Sequence, residues 1–81
     1  MATLNEVVVD SSIIIACSIP QEQTKWARQK MAQYTTFHIL DLTYYEVANA
    51  FKHMVPKRLT PMEAKTTFSV AQQMMDIFIV H

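Results

Sequence analysis

The sequence predicts an α/β fold: a parallel sheet in a three-layer arrangement, with elements in the order strand, helix, helix, strand, helix, helix, strand. Three observations carry this. Apolar runs rich in β-branched and aromatic residues recur at Asn5–Val9, Thr36–Leu40 and Asp76–Val80, the composition of strands buried in α/β sheets. The segments between them place apolar residues at helical spacing. Strands separated by helices pair in parallel through right-handed crossovers.

The first strand rests on Val7-Val8-Val9, apolar on both faces. Asp10-Ser11-Ser12 interrupts it with residues suited to cap a helix, and a short helical turn over Ile13–Ser18 follows. Pro20 suits the first turn of a helix. Gln21–Tyr34 is rich in helix formers and carries Trp26, Ala27, Met31 and Tyr34 on one face. The second strand, Thr36–Leu40, ends at Asp41. Thr43 followed three residues later by Glu46 has the spacing of a capping box, and Ala48, Phe51, Met54 and Val55 continue a helical pattern. Pro56-Lys57-Arg58 ends that helix. Thr60-Pro61-Met62-Glu63 combines an N-cap, a first-turn proline and a third-position glutamate, and starts a helix expected to reach about Met75.

The 81 residues make one domain over positions 1–81. A chain of this size buries only about 60% of its unfolded surface. Hydrophobic residues make up 51% and charged residues 17%, which excludes a disordered tail. Seven basic and seven acidic residues balance, so net charge argues for neither nucleic acid nor an anionic surface. Cys17 is the single cysteine, which excludes an internal disulfide and fits a reducing compartment. The apolar run Ile13–Cys17 falls far short of the roughly 20 residues that span a bilayer. No membrane segment is expected, and a cytoplasmic protein is. Glycine is absent, which excludes a P-loop or a dinucleotide-binding turn, since both need glycine where the backbone approaches phosphate.

Ligands of open α/β sheets bind beyond the carboxyl ends of the strands. Asp10 and Asp41 follow the first and second strands, and Glu46 lies early in the next helix. Two carboxylates brought together repel unless protonated or bridged by a cation. Hard oxygen donors suit Mg²⁺ or Mn²⁺, which bind through one or two carboxylates, waters and substrate phosphates. Such a site supports phosphodiester hydrolysis. Simpler roles compete: Asp10 as a helix cap, Glu46 as capping partner of Thr43, Asn49 as a solvated residue one turn beyond Glu46, Asp41 as a loop or cap residue. Lys52, Lys57 and Arg58 form a basic edge, either solvated or in contact with phosphate. His38, His53 and His81 show no pair at metal-ligand spacing on one helix, so a zinc site is not expected. Cys17 reads as a small buried hydrophobe.

Val7-Val8-Val9-Asp10-Ser11-Ser12-Ile13 and Glu46-Val47-Ala48-Asn49-Ala50 together resemble the first two motifs of the PIN domain family, which includes the VapC-type toxins of toxin–antitoxin pairs. The resemblance implies a metal-dependent endoribonuclease. Asp10 and Glu46 would be catalytic metal ligands for Mg²⁺ or Mn²⁺, Ser12 a supporting hydroxyl and Asn49 a supporting hydrogen-bonding residue. RNA would be the substrate and an antitoxin protein a partner. A PIN domain has five parallel strands over roughly 120 to 140 residues, with further acidic residues in its second half. The sequence matches about the first 60% of that fold, and Asp76 precedes a strand where the family places an acid after one. An incomplete domain is therefore expected. If the strands follow the family's order, 3-2-1-4-5, the first is left as an exposed apolar edge, and such edges aggregate unless paired or covered. A homo-oligomer or a partner chain is expected to close it. Two other readings stand beside the nuclease: a catalytically incomplete PIN-like subunit that binds a protein, and an unrelated small α/β domain whose acids only cap helices.

Overall fold

The computed structural model describes residues 5–81. Seven elements follow in the expected order: β1 Glu6–Val8, α1 Ser11–Ser18, α2 Thr24–Met31, β2 Thr36–Ile39, α3 Asp41–Met54, α4 Pro61–Asp76 and β3 Ile79–Val80. The sheet is all parallel, in the order β1-β2-β3. Val7 aligns with Phe37, Val8 with His38, and His38 in turn with Ile79.

Side chains alternate across a strand, and this sheet uses its two faces differently. Val7, Val9, Phe37, Ile39 and Phe78 pack into the main core with Ile14 of α1, Val47 and Phe51 of α3, and Ala71 and Met75 of α4. The rings of Phe37 and Phe78 lie 5.1 Å apart. A smaller cluster of Ala16, Cys17 and Ala27 joins α1 to α2. The other face carries Glu6, Val8, His38 and Ile79; Val8 is 67% exposed and Ile79 48%. The first strand is therefore not buried on both sides as its valines suggest. Among the described residues, β1 is an edge strand paired only with β2.

Several boundaries move, each for a local reason. α1 begins at Ser11, ahead of the expected Ile13, because Asp10 caps it by accepting the Ser12 N–H. Pro20 falls outside α2. The Thr24 hydroxyl donates to the Ile19 carbonyl at 2.9 Å and accepts the Gln21 N–H at 2.9 Å, turning the chain before α2 starts at Thr24. The capping box expected at Thr43 does not form. α3 starts three residues earlier, with Leu40 at the N-cap and no side-chain cap. Asp41 N–H instead donates to the carbonyl of His81 at 2.9 Å, and the His81 N–H donates to Ile39 at 2.9 Å. The end of β3 thus supplies one acceptor that the helix start needs, and Thr43 is buried. The box at Thr60 and Glu63 forms in both directions, at 3.1 and 2.9 Å. α4 continues through Asp76, which shortens β3 to Ile79–Val80.

Candidate active site at the carboxyl edge of the sheet

Asp10 leaves the sheet where β1 ends. Val9 N–H donates to the His38 carbonyl at 2.8 Å, which fixes the strand end against β2. The next residue turns into α1. The Asp10 Oδ2 accepts the Ser12 N–H at 3.1 Å and the Ser12 hydroxyl. The hydroxyl bond, then the Ser12 N–H, with a smaller pull from the Ser11 N–H, hold the Asp10 carboxyl below its ordinary value despite a small opposing effect of burial. Asp10 is thus a cap and an ionised carboxylate at once. A carboxylate offers about four acceptor positions, so the cap does not exhaust it.

Glu46 is placed by the packing of α3. Thr43, Val47 and Phe51 form the buried stripe at four-residue spacing, and α3 packs against α1 through it. Glu46 and Asn49 lie outside that stripe and are exposed. With Thr43 inside the helix, Glu46 has no capping duty, and no hydrogen bond engages its side chain among the described residues. Asp41 sits in the first turn of α3, exposed. Among the described residues, no three of His, Cys, Asp and Glu converge as a metal-holding group. Asp10 and Ser12 are brought into contact; Asp10, Asp41 and Glu46 are not gathered into one cluster.

The basic residues separate. Lys52 borders a groove of about 480 Å³ between α3 and α4, floored by Phe51 and Phe68. Arg58 borders a different groove, of about 620 Å³, beside Ile15, Met54 and Leu59. Lys57 is exposed in the turn after α3, where the Val55–Pro56 bond is cis. Cys17 is buried, and burial pushes its thiol up, as a structural cysteine requires.

Two polar contacts escape the sequence. The Tyr44 hydroxyl donates to Asp76 Oδ1 at 3.2 Å; burial, followed by the Asp76 carboxylate, raises the phenol. Two of the three histidines, far apart along the chain, meet across the sheet. His38 Nε2 lies 2.8 Å from Glu6 Oε1, and His38 Nδ1 lies 2.8 Å from His81 Nε2. The signal is strand register: Glu6 and His81 flank His38 diagonally from the two neighbouring strands. Without the register, the three positions are unrelated.

No helix among the described residues is long and apolar enough to cross a membrane. No family model matches the chain. Ribonuclease VapC3 of Pyrobaculum aerophilum is 43% identical over 49 residues, which cover 59% of this chain and 37% of that protein. The chain therefore spans little more than a third of the curated relative it matches. The similarity is partial, and it is to a ribonuclease of VapC type.

Proposed function

We propose that this chain carries the amino-terminal acidic residues of a PIN-type, metal-dependent endoribonuclease acting as the toxin of a toxin–antitoxin pair in the cytoplasm. The observation that carries the reading is Asp10, kept ionised at the carboxyl end of β1 by Ser12 in a chain partly similar to a VapC ribonuclease. Glu46, free of the capping role its spacing suggests, supports it.

The donor chemistry fits Mg²⁺ or Mn²⁺. Two carboxylates and a hydroxyl are hard oxygen donors, which suit a cation that also keeps several waters. When bound, such a cation neutralises charge on the scissile phosphate and activates water. Asp10 and Glu46 would hold it. Ser12 orients the Asp10 carboxylate, and Asn49, one turn from Glu46, would hydrogen-bond within the site. Lys52, Lys57 and Arg58 would contact RNA phosphates in separate places, since the first and last border different grooves. A second copy or a partner chain, with an antitoxin as the protein partner, would cover the free edge of β1 and supply the third layer over Val8 and Ile79.

One observation favours a second reading. The acids do not converge in a group of three among the described residues, as a catalytically incomplete subunit that only binds a partner would have it. Incubation of the purified 81-residue chain with labelled RNA and Mn²⁺ separates the two. The nuclease reading expects cleavage that disappears with EDTA and in Glu46→Gln. Absence of cleavage by the unaltered chain leaves the binding subunit.

A further inference from the structure

We propose that His38 and His81 form a second cation site, for a late first-row metal such as Zn²⁺ or Cu²⁺, on the open face of the sheet. The two imidazoles present their Nδ1 and Nε2 atoms to each other at 2.8 Å, with ring centroids 5.0 Å apart and planes inclined by 36°. The ring of His38 is held from behind, and His81 is held through its backbone. His38 sits on the central strand, and its other nitrogen is engaged by Glu6 at 2.8 Å. With His38 Nε2–H donating to that carboxylate, His38 Nδ1 holds a lone pair that accepts the His81 Nε2–H; a cation takes both nitrogens once His81 adopts the other tautomer, its proton on Nδ1. A carboxylate on the far nitrogen is the usual support of a metal-bound histidine; it fixes the tautomer and raises the basicity of the ligand atom. The backbone of His81 is fixed at both ends, its N–H donating to Ile39 and its carbonyl accepting from Asp41, each at 2.9 Å.

A tetrahedral cation bound about 2.0–2.1 Å from each nitrogen needs the two about 3.3 Å apart. Opening the pair by about half an ångström meets that distance, and the exposed ring of His81 has room to make the movement. Imidazole selects Zn²⁺, Cu²⁺ or Ni²⁺ over Mg²⁺ and Mn²⁺, which prefer carboxylate and water. Two protein ligands leave the remaining positions to water or to an external donor. Val8 and Ile79, in register on either side of His38, form the apolar walls of the site.

The test uses the full chain and the metal alone. Isothermal titration with Zn²⁺ should show one site per chain that excess Mg²⁺ does not displace. His81→Asn should weaken it at least about 10-fold, and Glu6→Gln about 10–100-fold, as loss of a supporting carboxylate does. His53→Asn should leave it unchanged, since His53 is on α3 and contacts the Asn49 carbonyl. In the Cu²⁺ form, electron paramagnetic resonance should show coupling to two imidazole nitrogens, falling to one in His81→Asn. His81 is exposed at the end of the sheet, so its substitution keeps the test sound where a change at His38 disturbs the fold. No Zn²⁺ binding, binding equal in His81→Asn, or binding lost in His53→Asn would each overturn the proposal.

Discussion

The cap that Asp10 forms on α1 and the metal-ligand role proposed for it can be separated by two substitutions. Its Oδ2 accepts the N–H and the hydroxyl of Ser12, and the N–H bond is the N-cap of α1. Asparagine caps as well as aspartate, whereas alanine at an N-cap costs about 0.5–2 kcal/mol. Asp10→Asn keeps an amide oxygen in the same place and loses only the attraction of a negative charge to the helix start, about 0.3–1 kcal/mol at an exposed end. In a domain of this size each kcal/mol moves Tm by about 4–8 °C. Thermal unfolding followed by circular dichroism should therefore rank wild type, then Asp10→Asn a few degrees below, then Asp10→Ala lower still. Metal-dependent RNA cleavage should follow a different order. Both variants lack the carboxylate, so both should fall by more than the about 10–100-fold that loss of a mere supporting group costs a metal site. Full activity in Asp10→Asn, with Asp10→Ala reduced only in step with its lost stability, would refute the argument and leave Asp10 as a cap alone.

Ile14 is fully buried between the sheet and the helices; Ile14→Ala should cost about 2–5 kcal/mol and Ile14→Val about 0.5–1.5, read from urea midpoints, against a total of about 5–15 for a native domain. Glu63 is held below its ordinary value of 4.5 by the Thr60 N–H and hydroxyl. A lowered folded pKa means its contribution is complete above that ordinary value and disappears as pH falls through the lower folded one. Glu63→Gln should flatten the acid limb of a stability–pH profile there, and an unchanged limb would show that other carboxylates set it. Val8→Lys places a charge on the open face of the edge strand; it should shift any self-associated species toward monomer in light scattering, as edge lysines discourage strand pairing.

Element order was legible because its signals are local. Three valines, or an apolar residue every third or fourth position, act without knowledge of the rest of the chain. Thr60 was legible for the same reason: cap, Pro61 and Glu63 repeat one message within four residues. Thr43 and Glu46 have the same spacing and gave a false start, because the acceptor for Asp41 N–H comes from His81, across the sheet. That tertiary bond lets α3 begin early and buries Thr43. It also moves Glu46 from helix start to helix surface. Asp10 shows the converse: capping and metal binding read from the sequence as alternatives, although one carboxylate has acceptor positions for both. The Glu6–His38–His81 array was illegible because it exists only once the register of three strands is known.

The open edge and the acidic site are physically linked. Parallel sheets are ordinarily covered on both faces, yet here Val8 is 67% exposed on a strand with one neighbour among the described residues. The unpaired backbone groups of β1 run along that edge and end at Asp10. A parallel strand added there finishes beside Asp10, because parallel strands end on the same side, and the residue that follows it lies next to the carboxylate. A partner that satisfied the edge would thus be positioned to bring a further acid toward Asp10, which the described residues of this chain do not gather around it. Under this argument association and cleavage are coupled in one direction only. Val8→Lys should reduce both, and Asp10→Asn should abolish cleavage while leaving association intact. A monomeric Val8→Lys chain that still cuts RNA at the wild-type rate would break the link.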